Sequence, residues 1–344
     1  MIPAPPLVRH LAAPAWQQAL RDCISDPQEL ADCLGLGGEW VEPARRAAAR
    51  FPLRVPRSYL ARMRHGDAAD PLLRQVLPLD AELLETPGYV ADPVGDLAAL
   101  AGQGLLHKYH GRALLVTTGA CAIHCRYCFR REFPYGEQHA GRQAFAHALE
   151  AIRADSSITE VLLSGGDPLT LSDRRLAGLL EGLEAIPHVR RVRVHTRLPV
   201  VLPERIDAGF LAVWNSLRRL QRIVVIHANH AQELRDAADV QAALRTLQAA
   251  GTTLLNQSVL LRGVNDSSAA LEELSVVLFE SGVLPYYLHV LDPVRGAAQF
   301  DVPEDEARQL HAALTARLPG YLVPKLVREV PGAAAKTMLP PASR

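Results

Sequence analysis

Between residues 113 and 290, short apolar segments alternate with longer segments of helical period, and this alternation restricts the chain to one class of fold. The segments at 113–118, 160–164, 191–196, 222–227, 253–259 and 284–290 have strand length; those at 174–185, 232–250 and 269–280 repeat their apolar residues at helical spacing. Strands that alternate with helices form parallel β/α units. Six such units suit an incomplete (βα)6 barrel, an α/β fold, better than a closed barrel of eight. Right-handed crossovers bring the C-terminal ends of parallel strands to one side, where ligand loops gather. Ahead of the alternation, Trp16 to about Leu34 reads as helical, and the proline-rich stretch from Glu42 to about Leu106 as short helices and loops. The expected organisation is a mainly helical N-terminal extension packed on the barrel (1–106), the barrel (107–330) and a C-terminal segment (331–344).

The first strand runs into Cys121-Ala122-Ile123-His124-Cys125-Arg126-Tyr127-Cys128, a C-x3-C-x2-C spacing. Three thiolates this close can wrap one face of an iron–sulfur cube and leave one iron without a protein ligand. Four cysteines suit electron transfer; three leave a place to bind something. Zinc is the competing reading, with His124 as a fourth ligand. Zinc sites usually come as paired knuckles, however, and only Cys23 and Cys33 remain, far upstream. Five cysteines, three of them clustered, also argue against a disulfide scaffold. A net charge of +0 gives no electrostatic case for a nucleic-acid or membrane partner. No stretch is long and apolar enough to span a bilayer, and residues 1–14 lack a signal-peptide pattern. A soluble cytoplasmic protein is expected.

Other candidate residues lie at the strand ends. Ser164-Gly165-Gly166-Asp167-Pro168 follows the second strand, where two glycines allow close backbone approach to a ligand; a tight turn with Asp167 as helix cap is the plainer reading. His227-Ala228-Asn229-His230 follows the fourth strand, and Gln257 lies in the fifth. Lys108, Tyr109 and Arg112 precede the first strand and could hold a phosphate monoester, or form a solvated turn. The chain has 37 Lys and Arg residues, of which only Lys108, Lys325 and Lys336 are lysine. Arginine keeps its proton, whereas lysine can lose one and form a Schiff base, so these lysines are candidates for work that arginine cannot do. Lys336 ends a run of small residues that can present it to a planar cofactor; the plainer reading is an exposed tail.

The cysteine spacing after a strand resembles that of the radical S-adenosylmethionine (SAM) superfamily. The motifs together resemble the lysine 2,3-aminomutase family, radical-SAM enzymes that also use pyridoxal phosphate (PLP). The resemblance covers roughly 51–338 and rests on Asp70-Pro71-Leu72 through Gln75 and on 107–112, 121–131, 164–169, 257–266, 286–292 and 331–336. It implies a [4Fe–4S] cluster on Cys121, Cys125 and Cys128 whose open iron chelates SAM. Ser164, Gly165, Gly166, Asp167, His227, His230 and Gln257 would then lie beside SAM. It also implies that Lys336 bears PLP, that Lys108, Tyr109 and Arg112 lie near PLP and its phosphate, and that Arg130 grips the substrate carboxylate. Asp292 and Glu329 are the carboxylates available to the ε-ammonium of lysine.

Two departures from the family pattern bear on the branch. The form Asp-x-Pro-Gly-Gly-Gly-Gly-Lys is here Glu329-Val330-Pro331-Gly332-Ala333-Ala334-Ala335-Lys336, and the long cysteine-bearing extension of the catabolic enzymes is missing after Arg344. Both resemble the shorter branch that makes (R)-β-lysine, which a lysyl-tRNA-synthetase-like ligase attaches to elongation factor P. The expected protein is therefore an isomerase acting on L-lysine, reduced by a flavodoxin or ferredoxin, with a homo-oligomer left open. The alternatives are a catabolic lysine 2,3-aminomutase, an aminomutase for another amino acid such as glutamate, and a non-catalytic iron–sulfur or zinc protein. A glutamate pocket wants a cation where Asp292 and Glu329 stand, and an electron carrier has no use for the Lys336 segment.

Overall fold

A single sheet whose ten strands follow chain order organises the molecule, seen in a computed structural model that describes residues 13–102, 104–136 and 142–340. The N-terminal stretch read for a signal lies, through residue 12, outside the described residues. Strands β1 (Leu100–Gly102) and β2 (Leu105–Tyr109) pair antiparallel, and β2 turns at Gly111 into β3 (Arg112–Thr118). Then β3, β4 (Glu160–Gly165), β5 (Arg191–Thr196), β6 (Gln221–His227), β7 (Thr253–Val259), β8 (Leu284–His289) and β9 (Lys325–Arg328) run parallel, each to the next. A last strand, β10 (Thr337–Met338), returns antiparallel to β9.

The six expected strands are thus present as β3–β8, in an open sheet whose edges β1 and β10 are not neighbours. The seventh parallel strand, β9, is only Lys325-Leu326-Val327-Arg328, too short for a periodic signal, although Leu326 and Val327 are buried. The stretch before β3, for which a solvated turn was one reading, is strand β2 with a turn at His110-Gly111. Strand β2 spans residue 106 and β9 and β10 flank residue 331, so all three expected segments contribute to one sheet.

Helices cover the sheet between the parallel strands: Arg142–Ala154, Asp173–Glu184, Ala208–Asn215, Ala238–Ala249, Ser268–Glu280 and Glu304–Arg317. The expected helix near residues 16–34 is two, Ala15–Arg21 and Pro27–Leu34. The break has a local cause. Asp26 caps the second helix by accepting from Gln28 N at 3.0 Å, Pro27 starts it, and Ile24 between them pairs with Val55.

Side chains alternate across a strand, and that period aims the site. Val161 and Leu163, Val192 and Val194, and Val224 and Ile226 face the helices and are fully buried. Each such Val, Leu or Ile contributes roughly 1.5–3 kcal/mol through burial. Their neighbours in the alternation, Leu162 and Ser164, Arg193 and His195, His227, Gln257, and Tyr287 and His289, line a cavity on the other face.

Candidate active site

The cavity has a volume of about 510 Å³. At one side is the cysteine loop. Cys121, Cys125 and Cys128 are free thiols that line the cavity. The N-terminal extension clamps their loop from behind. Arg54 O accepts from His124 N at 3.0 Å and Gln75 O from Arg126 N at 2.9 Å. Buried Glu82 takes both prongs of the Arg126 guanidinium at 2.8 and 2.6 Å and binds Arg131 at 2.7 Å. Burial and then the neighbouring thiols push Cys121 well above the ordinary thiol range; burial and Cys125 push Cys128 up to about 11. Thiolates form here when a cation replaces the protons.

His124 also lines the cavity; its Nδ1 lies 2.8 Å from Pro52 O and its ring stacks on Phe51 at 5.1 Å. Among the described residues, no three His, Cys, Asp or Glu side chains converge on one metal position. A cubane spreads its thiolate ligands over separate irons, so three soft sulfurs around an open cavity fit a cluster rather than a single zinc.

Behind the cysteines, Gly165 and Gly166 permit a close approach, but to the protein itself. A side chain at Gly165 would stand 2.6 Å from Thr118 O, and one at Gly166 2.4 Å from Ala120 O. Gly165 also holds φ at +116°, where side chains are strained. The glycines therefore seat the β4 end against the backbone that leads into the cysteine loop, and both line the cavity. Asp167 is buried and saturated by Thr196 Oγ1 at 2.7 Å, Arg197 N at 2.7 Å and Leu169 N at 3.0 Å. It is the cap that the plainer reading gave, with its carboxyl raised to about 6 by burial.

His227 reaches the cavity and meets the Tyr127 hydroxyl at 3.1 Å. Burial and then Arg197 lower its pKa to about 3, so it is a neutral donor–acceptor. Gln257 lines the same wall. His230 is not brought in with them: its ring caps the next turn, Nδ1 accepting from Gln232 N at 3.2 Å, and it is not part of the lining. Three residues past His227, the inward-facing end of the strand, its side chain turns back on its own segment.

The same cavity is lined by ionisable groups from before β1, from β2 and the start of β3, and from the segments after β8 and β9. Glu329 receives Lys336 Nζ at 2.6 Å and the Tyr109 hydroxyl. Burial opposes its charge, but Lys336, Tyr109 and Lys108 outweigh burial and hold its pKa below the ordinary range. Lys108 is bound to Asp96 at 2.6 Å and to Val94 O at 2.7 Å, and Arg112 lies over the Tyr109 ring at 5.1 Å. Asp96 also takes Arg130 Nε at 2.7 Å, while Ser164 Oγ takes another Arg130 nitrogen at 2.9 Å. Asp292 lines the cavity, and its carboxyl is raised to about 7, chiefly by burial.

Of the lining residues that were not anticipated, four bear on the site's chemistry. Asp96 links Lys108 to Arg130 across distant segments, which no spacing discloses. His195 and His289 each leave a buried Nε2 without a protein partner, and burial keeps both rings neutral. Arg197 donates to Cys125 Sγ. It directly follows β5, so the strand-end rule, extended to that strand, would have found it.

The residues present fit the expected groups. Three thiols suit a cluster face, an amine on Lys336 suits an aldehyde cofactor, and two orphaned imidazole nitrogens offer polar partners to a ligand between them.

A family model described as "Radical SAM superfamily" matches residues 115–274. Over 325 residues the chain is 48% identical to an L-lysine 2,3-aminomutase of Escherichia coli (strain K12), covering 94% of each chain. Identity to the enzyme of that name from Haemophilus influenzae is 43%, covering 98% of each chain. Identity to the one from Clostridium subterminale is 33%, covering 95% of this chain and 78% of that one. With such identity over nearly its whole length, the chain belongs to the L-lysine 2,3-aminomutase family of radical SAM enzymes.

Proposed function

We propose that this protein is a cytoplasmic, PLP-dependent radical-SAM L-lysine 2,3-aminomutase. Its product would be (R)-β-lysine, passed to a lysyl-tRNA-synthetase-like ligase that modifies elongation factor P. The observation that carries this reading is one cavity lined both by three free thiols and by Lys336, Glu329 and Asp292. When bound, the cluster and SAM would supply radical chemistry able to take hydrogen from carbon, and PLP would supply an aldehyde able to carry an amine between neighbouring carbons.

The chain's own residues position and protect that chemistry. Cys121, Cys125 and Cys128 hold the cluster, and Ser164, Gly165, Gly166, His227 and Gln257 form the wall that SAM would face. Asp167 lines the same cavity and fixes Thr196 and Arg197 beside that wall. Lys336 Nζ is the amine for PLP, and Glu329 Oε2, at 2.6 Å, is placed to take or return its proton. Tyr109 steadies the other Glu329 oxygen, and Lys108 and Arg112 offer positive charge for a phosphate.

Arg130 is locked by Asp96 and Ser164, so its remaining donors are aimed before a substrate carboxylate arrives. A planar two-pronged contact of this kind suits arginine and not lysine. Asp292 is half protonated near neutrality in the empty cavity, and an incoming ammonium would favour its anion. A glutamate side chain would instead set a carboxylate against Asp292 and Glu329, a like-charge contact that costs on the order of several kcal/mol.

The elongation-factor-P branch draws support from the pattern of identity, 48% and 43% to the Escherichia and Haemophilus proteins against 33% to the clostridial one. It also rests on the resemblance of the Glu329–Lys336 segment to that branch. Free L-lysine is the expected substrate, since Arg130 needs an α-carboxylate that a lysine inside a protein chain lacks. The test is anaerobic reconstitution with iron, sulfide, SAM, PLP and dithionite, followed by chiral analysis of the products. Conversion of L-lysine to (R)-β-lysine supports the reading. Turnover of glutamate, or of lysine only within elongation factor P, contradicts it.

A further inference from the structure

The three cysteines are not equivalent. Of these three, Cys125 Sγ is the one that accepts from a cationic side chain among the described residues: an Arg197 nitrogen donates to it at 2.8 Å. The same nitrogen lies 2.9 Å from the Tyr127 hydroxyl, and its partner nitrogen reaches Tyr59 at 3.0 Å, Gln75 at 2.7 Å and Glu233 at 2.8 Å. Asp167 fixes the backbone of Arg197 at 2.7 Å. Arg197 is 6% exposed and Glu233 0%, so water screens neither. Tyr59, Gln75, Tyr127, Asn229 and Glu233 form a closed network that fixes where the guanidinium sits.

We propose that Arg197 is a positioning residue for the cluster that sets its reduction potential through Cys125. The proposal rests on the reading that the three cysteines hold a [4Fe–4S] cluster. One electron converts [4Fe–4S]2+ to [4Fe–4S]1+ and adds a negative charge spread onto the sulfurs. A cationic donor at a thiolate stabilises the reduced form and raises the potential. The buried Glu233 carboxylate opposes this effect from the far side of the guanidinium. Arg197 and Glu233 therefore act with opposite sign, and a purely structural role would not produce that.

The test is an EPR-monitored redox titration with dithionite, without SAM, on cluster-loaded protein. Arg197→Gln/Glu233→Gln removes both buried charges and strands neither. Its reduced-to-oxidised ratio at a fixed potential should fall about tenfold, which is about 59 mV for one electron. Glu233→Gln alone keeps the donor and removes the opposing charge, so its potential should rise. If the double variant does not load, Arg197→Lys replaces it; an ammonium cannot serve both the sulfur and the network, and a smaller fall is expected. An unchanged potential in loaded variants overturns the proposal, as do shifts of the same sign in both. Absence of any cluster in the wild-type protein would refute the underlying reading and not this one alone.

Discussion

Replacing Asp292 by Asn should stabilise the ligand-free protein while weakening lysine binding. In the fold the Asp292 carboxyl titrates at about 7 against an ordinary 3.8, chiefly because it is buried. The folded state therefore holds this proton more tightly than the unfolded chain. Between the two values the folded state is protonated and the unfolded state is not, so stability falls as pH rises from about 4 to about 7 and stays lower above that. The full difference corresponds to about 4 kcal/mol at 1.36 kcal/mol per pH unit. Asp292 is only partly buried and lines the cavity, so roughly half, about 2 kcal/mol, is the expected gain on removing the charge, or a rise in Tm of roughly 3 °C for a chain of this length. Thermal unfolding of wild type and Asp292→Asn, free of PLP and lysine, should show no difference at pH 4 and the full gain at pH 8. Lysine binding to the wild type should weaken about tenfold for each pH unit below about 7, since the ammonium needs the anion. A variant equally stable, or less stable, at pH 8 would refute this account of Asp292.

Removing Glu82 strands two arginines behind the cysteine loop; Glu82→Gln should cost roughly 3–5 kcal/mol in denaturant unfolding and lower iron loading on reconstitution. Cys125→Ala should abolish iron loading and SAM cleavage, whereas Cys23→Ala should leave both intact, because Cys23 meets the loop only through Ala122 O at 3.6 Å. Borohydride reduction of the PLP-loaded protein followed by peptide mapping should place the phosphopyridoxyl group on Lys336; finding it on Lys108, which Asp96 already holds, would reverse the two assignments.

The strands β3–β8 were legible because each is a run of apolar residues of strand length bounded by turns, and the cavity-facing positions follow from their period of two. Strands β9 and β10 were not, since four and two residues carry no period. The cysteine loop was legible because its ligands are local in sequence. What holds the loop was not: Glu82, Gln75 and Arg197 reach it from separate segments, and no spacing in the chain records those contacts. The same limit applies to Lys108. Its charge and its place before the first strand were legible, but its ion pair with Asp96, which also binds Arg130, was not. For Gly165 and Gly166 the need for glycine was legible, but not that the backbone at Thr118 and Ala120, which leads into the cysteine loop, also requires it.

The central claim is that one substrate sits between the cysteine side and the Lys336 side of a single cavity. Following deuterium from L-lysine labelled at C3 tests it most directly, with loaded enzyme, SAM, PLP and dithionite under anaerobic conditions. The account predicts deuterium in 5′-deoxyadenosine and at C2 of the β-lysine formed. Unlabelled 5′-deoxyadenosine, with all deuterium retained at C3, would mean that the two sides do not act on the same molecule.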